Sequence, residues 1–147
     1  MMTRALLTIL LLLPLFANAG ELDGKSLICA LIWDGSTDTK SLEHGYRFNQ
    51  ERVLQDWVVR DGTDAVVSTT DLGNYSVTSH YVTWDSAVLN RKSLEIREQT
   101  APLRSTPATI HYVCEKIASR DVYYQQLESS KLELRRKIRE EMEGNQI

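Results

Sequence analysis

Between Ser26 and Lys116 the apolar side chains return mostly at every second position, the period of strands that bury one face. Residues 26–33 (SLICALIW) are an almost unbroken apolar run of strand length, which suits a strand covered on both faces or a barrel strand lying against the tail. Residues 46–48 form a weaker strand. Residues 52–60 (RVLQDWVVR) place Val53, Trp57 and Val59 on one face and Leu54 and Val58 on the other, and Asp61-Gly62 marks a turn. The β-branched run 64–70 (DAVVSTT) ends at Leu72-Gly73-Asn74, which reads as a second turn. In residues 74–85 (NYSVTSHYVTWD), Tyr75 and Val77 share one parity and Val82 and Trp84 the other, so a bend or bulge near Ser79-His80 is needed to bring all four inside. Residues 93–97 (SLEIR) and 109–116 (TIHYVCEK) alternate cleanly, with Leu94, Ile96, Ile110, Tyr112 and Cys114 inward. Seven or eight strands at a spacing of about ten residues predict an all-β fold, a small antiparallel barrel or sandwich.

Beyond residue 120 the period changes. Residues 121–143 are rich in Leu, Glu, Arg, Lys and Gln and set Glu133 against Lys137 and Arg136 against Glu140 at helical spacing. Tyr124, Leu127, Leu134 and Ile138 make a thin apolar stripe that Lys131 interrupts, while Leu132 and Met142 stand apart. So narrow a stripe predicts a charged tail helix that packs loosely, with partner binding or weak self-association as alternatives, rather than a coiled coil.

Ahead of the strands, residues 1–19 carry Arg4, an apolar run from Ala5 to Phe16 and Ala17-Asn18-Ala19, the pattern of a signal peptide cut after its last small residue. The mature chain is expected to begin at Gly20, whose identity leaves no cysteine for a lipid anchor at that cut. No later stretch approaches the ~20 apolar residues of a spanning helix. A periplasmic or secreted protein is expected, with one β domain over residues 20–120 and a helical tail over 121–147. In an oxidising compartment the only two cysteines, Cys29 and Cys114, are expected to pair. Two buried free thiols are the alternative.

Composition narrows the partners. Hydrophobic and charged fractions of 42% and 25% are those of an ordinary globular domain. The net charge of −3 argues against nucleic acid, which is usually met by a basic face.

Catalytic signals are sparse. His44, His80 and His111 lie in different segments without metal-ligand spacing. No G-x-S-x-G elbow backs a serine nucleophile. Asp34, Asp38, Asp56, Asp61, Asp64, Asp71 and Asp85 fall mostly at strand ends, where aspartate caps its own backbone. Residues 34–39 resemble a calcium loop, but Gly45 stands where the twelfth-position glutamate belongs. Neither a metal nor a cofactor is expected. Leu89-Asn90-Arg91-Lys92 predicts a turn held by the Asn90 side chain, with Arg91 and Lys92 at its tip as a contact for an anion or acidic protein. Trp84, just upstream, completes the expected contact set. Trp33, Trp57, Tyr46, Tyr75, Tyr81 and Tyr112 are expected in the core or, if they line a barrel mouth, stacked on a flat or sugar-like ligand.

The stretch Cys29, Gly45-Tyr46-Arg47-Phe48, Tyr75-Ser76-Val77, Val82-Thr83-Trp84, Leu89-Asn90-Arg91-Lys92-Ser93-Leu94 and Tyr112-Val113-Cys114 resembles a group of small exported bacterial proteins. Their shared features are a short signal, paired terminal cysteines and a Trp followed by an LNRK-type turn. The resemblance spans about residues 22–116, implies a β domain and brings no catalytic residues. At the level of fold alone, the pattern is also similar to the small β-barrel lysozyme inhibitors of bacterial envelopes, although their inhibitory motif has no counterpart here. Together these readings lead to an exported, non-enzymatic binding module of the bacterial envelope that recognises a protein or small ligand. An inhibitor-like or accessory protein, and a small hydrolase or metal-dependent enzyme using His80 or His111, are the alternatives.

Overall fold

The computed structural model describes residues 19–32, 44–100 and 108–144. Residues 1–18, which hold most of the expected signal segment, Trp33 and the calcium-like segment 34–39 lie outside the described residues. Eight strands follow a short 3₁₀ turn (Ala19–Leu22): β1 (Ser26–Ile32), β2 (His44–Asn49), β3 (Arg52–Asp61), β4 (Asp64–Val77), β5 (Tyr81–Trp84), β6 (Ala87–Asn90), β7 (Glu95–Gln99) and β8 (Thr109–Ile117). Each pairs antiparallel with the next, and β8 pairs back onto β1, closing an up-and-down barrel. Closure leaves no sheet edge unpaired. Of the two expected architectures, the barrel is the one formed.

The alternation read from the sequence becomes the inside and outside of this barrel. Leu27, Cys29, Tyr46, Phe48, Val53, Tyr75, Val77, Val82, Trp84, Leu89, Ile96, Tyr112 and Cys114 are buried in one cluster. Phe48 meets Tyr75 and Trp84 edge to face, with ring centroids 5.2 and 5.9 Å apart, the arrangement that aromatic quadrupoles favour. Cys29 and Cys114 oppose each other across the β1/β8 seam, form a disulfide and bring their Cα atoms within 4.0 Å. The staple therefore joins the first strand to the last at the line where the barrel closes.

Two turns differ from expectation. Leu72-Gly73-Asn74 does not end a strand: β4 runs through it, with the register to β3 shifting between Arg52 and Leu54 and Gly73 adopting φ +88°. An extra residue absorbed in left-handed conformation is a bulge, and it curves the strand around the barrel. The reversal falls instead at Ser79-His80, between β4 and β5. A short strand, β6, then precedes the turn at Arg91.

The helix, α1 (Arg120–Gly144), starts at the lower end of the barrel and climbs along β3 and β4. Ser119 caps it by accepting from the Val122 amide at 3.3 Å. Its docking is tighter than the thin stripe suggests, because Tyr123, Leu127 and Ile138 are buried. Tyr123 and Leu127 join Ile117, Ile28 and Val58 in a second apolar cluster outside the barrel wall. Ile28 points away from the interior that its neighbours Leu27 and Cys29 fill, which explains the continuous apolar character of β1. Tyr124, expected on the apolar stripe, is 40% exposed. At the upper end, Arg135 pairs with Asp64 and Arg60 with Glu141, tying the helix to the β3–β4 hairpin.

Candidate functional site

Beneath the helix lies a buried polar centre. Gly45 leaves the outer face of β2 without a side chain, and the Tyr123 ring fills the space so closely that an added Cβ would lie 2.6 Å from its Cε2. The Tyr123 hydroxyl donates to Asp56 Oδ2 at 2.8 Å. Asp56, 1% exposed, also accepts a forked pair from Arg47 at 2.5 and 2.9 Å and a bond from Thr69 Oγ1 at 2.6 Å. Burial alone would raise the Asp56 carboxyl pKa, but the bonds from Arg47, Thr69 and Tyr123 outweigh it and hold the carboxyl below its ordinary range. Burial, and then the bond to Asp56, push the Tyr123 hydroxyl upward. Every oxygen of Asp56 is engaged by protein donors, so this centre holds the helix rather than a ligand.

Inside the barrel's upper half is a second polar group. His44 stacks on Trp57 with centroids 4.3 Å apart, and its Nε2 lies 3.1 Å from the Tyr46 hydroxyl. That hydroxyl accepts from Gln55 Nε2 at 3.0 Å. Burial first, and the charge of Glu98 second, raise both Tyr46 and Tyr112, the latter to about 12. Glu98 is itself raised by burial and by Asp85.

The lower mouth is built differently. Asp23 fastens the chain entering the barrel, accepting from the Tyr75 hydroxyl at 2.9 Å and from the Glu51 amide at 3.1 Å. It thereby secures the tight β2–β3 turn, in which Gln50 and Glu51 both adopt positive φ, an uncommon conformation for residues with a Cβ. Burial and the bond to Asp23 push the Tyr75 hydroxyl to about 12. Beside this lies a recess of about 250 Å³ with walls of Leu22, Leu27, Phe48, Val82, Leu89 and Leu94. Lys25, Arg91, Lys116 and Glu21 form its rim. Lys116 stands opposite Leu27 in the β1/β8 register, on the inward parity of Tyr112 and Cys114, so its aliphatic stem follows the wall while the ammonium reaches water.

Arg91, one of the expected contact residues, is on this rim. Its guanidinium donates to the Thr78 carbonyl at 2.7 Å and pairs with Glu21. Asn90 Oδ1 accepts from the Lys92 and Ser93 amides at 2.9 and 3.1 Å, the side-chain-held turn its sequence predicts, and Lys92 is exposed at the tip. Leu94, closing that turn, takes φ +57°, a strained conformation for a bulky side chain and one often found at ligand clamps. Trp84 is not with these residues: it is buried in the core against Tyr46 and Phe48 and offers no surface to a partner. Glu21, Lys25 and Lys116 belong to no local motif of the sequence. Lys116 did leave a trace, since it is the charge that breaks an inward alternation.

On the opposite flank from the helix, the outer face of β5 to β8 holds a groove of about 820 Å³ lined by Tyr81, Thr83, Val88, Arg97, Thr109 and His111 among others. Tyr81 and Val88 are exposed there. His80 lies on the β4–β5 turn, where its Nδ1 is 2.7 Å from Ser79 Oγ, whereas His111 is opposite Arg97 on the barrel wall. Among the described residues, no three His, Cys, Asp or Glu side chains converge as a metal site, and no helix is long and apolar enough to cross a membrane. No protein-family model, curated protein or solved structure matches the chain.

Proposed function

We propose that this protein is an exported, non-enzymatic binding module of the bacterial envelope, and that its lower mouth is the binding site. One observation carries the reading: an apolar recess and three cationic side chains, Lys25, Arg91 and Lys116, meet at the same opening. Small-molecule sites combine an apolar wall with a few oriented polar groups in this way. The aromatic interior, by contrast, is occupied by its own packing. Export is read from the leader pattern around Arg4 and Ala17-Asn18-Ala19. The experiment is retention from bacterial envelope extracts on immobilised wild type and on an Arg91→Ala, Lys92→Ala double variant. Material held by wild type and lost by the variant supports the reading. Equal retention by both, or none by either, contradicts it.

A second reading is an accessory or inhibitor-like protein acting through a protein partner. It is favoured by the groove over β5 to β8, where exposed Tyr81 and Val88 flank Arg97, the mix of aromatic and arginine groups that protein interfaces favour. A Val88→Asp change that abolishes capture while Arg91→Ala, Lys92→Ala leaves it intact would select this reading.

A further inference from the structure

We infer that the ligand of the lower mouth is a single-chain amphiphile with a carboxylate head, and that Glu21 occupies the place of that head until the ligand arrives. The inference rests on the proposed binding role of this mouth and adds the chemistry of what enters it.

The walls decide the tail. Half-buried Leu22 and Leu94 present hydrocarbon to the recess over a buried floor of Leu27, Phe48, Val82 and Leu89, and none of the six carries a side-chain hydrogen-bonding group for a sugar or peptide. A volume of about 250 Å³ is just under the ~300 Å³ at which ordinary small-molecule pockets begin. It suits one short alkyl chain and excludes the paired chains of an intact phospholipid.

The rim decides the head. Lys25, Arg91 and Lys116 outnumber Glu21, so the opening is positive on a chain whose net charge is −3. A guanidinium fork is suited to the two oxygens of a carboxylate. In this molecule Arg91 Nη2 pairs with one oxygen of Glu21 while Nη1 is held by the Thr78 carbonyl. Glu21 belongs to the 3₁₀ turn Ala19–Leu22 at the start of the described chain, and its side chain is 45% exposed in the pair. A pair so open to water is held weakly, so a carboxylate whose alkyl tail is buried at the same time can displace it. The tail supplies what Glu21 lacks. Leu22, on the same turn, packs against the core and would shift as the chain enters.

The test is calorimetric titration of the mature protein, residues 20–147, with decanoate below its micelle concentration, and with hexanoate, octanoate and decanol. Decanoate should bind, and each loss of two methylenes should weaken binding about tenfold, from the transfer free energy per CH₂. Decanol, with the same tail and no charge, should bind at least tenfold more weakly. Glu21→Gln should tighten decanoate severalfold by removing the competing carboxylate. Lys116→Met, which keeps the stem and removes the charge, should weaken it severalfold, and it leaves untouched the Arg91 contacts that also hold the turn. The same result is expected with free decanoate as with decanoate in the presence of phosphatidylglycerol vesicles. Chain-length independence, equal binding of decanol, an unchanged Glu21→Gln affinity, or binding to the vesicles alone would overturn the inference. If decanoate fails while capture from envelope extracts still depends on Arg91 and Lys92, the binding role stands and only its chemistry is wrong.

Discussion

Tyr123 lies in the notch that Gly45 leaves on the barrel wall and donates its hydroxyl to Asp56. A helix read from sequence as a loosely packed tail thus has a buried polar anchor beside the apolar contacts of Leu127 and Ile138. Gly45→Ala would drive a methyl group into the Tyr123 ring, a tightly packed site where overfilling costs about 1–3 kcal/mol. Tyr123→Phe should cost about 1.5–3 kcal/mol, the worth of a hydrogen bond to a charged group, while keeping the ring. Urea unfolding of both variants checks this. Midpoints equal to wild type would mean that the helix contributes no anchoring.

The Asp56 centre also makes acid sensitivity specific. Its folded pKa is below the unfolded value, so the unfolded state binds more protons in the window between the two, and stability there rises with pH. The contribution is complete above the ordinary aspartate range near pH 4 and is lost as pH falls through the depressed folded value. Asp56→Asn should destabilise at pH 7 and flatten the acid limb of a midpoint-against-pH curve. An unchanged slope in that variant would count against the centre's role.

Glu98 has the opposite sign. Burial and Asp85 raise its folded pKa, so its ionised form is disfavoured in the fold at neutral pH. Glu98→Gln should therefore raise the melting temperature at pH 7, with the gain shrinking as the pH falls through the raised folded value and gone below the ordinary glutamate range at about 4.3, where the carboxyl is protonated in both states. A variant less stable than wild type at pH 7 would show that Glu98 makes a favourable contact instead.

Across a sequence separation of 85 residues, the Cys29–Cys114 bridge is worth about 4–5 kcal/mol on the chain-entropy account. The native protein should resist alkylation until reduced, and reduction or Cys29→Ser should lower the urea midpoint by an amount of that order. Coincident transitions for oxidised and reduced protein would contradict it.

What was legible in the sequence was whatever depends on parity. The inward residues of β7 and β8 and the helical pairs Glu133–Lys137 and Arg136–Glu140 follow from periods of two or four, whereas the pairing of Cys29 with Cys114 follows from the export pattern and the presence of only two cysteines. Gly73 misled because the same positive-φ glycine serves a turn and a bulge, and only the pairing partner, β3, distinguishes them. The apolar stripe of the sequence points to Tyr124 rather than Tyr123, because docking turns on a hole at Gly45, far upstream in the chain and formed only on folding. The lower mouth is a product of closure. Glu21, Arg91 and Lys116 come from the 3₁₀ turn ahead of β1, the β6–β7 turn and β8, and no local pattern joins them.

On the proposed reading the lower mouth, rather than the outer groove, receives the ligand. Mapping amide chemical shifts of the mature protein, residues 20–147, during titration with decanoate tests this most directly. The largest changes should fall on Glu21, Leu22, Lys25, Leu89, Arg91, Leu94 and Lys116. Changes centred on Tyr81, Val88, Arg97 and His111, or no saturable change at all, would contradict it.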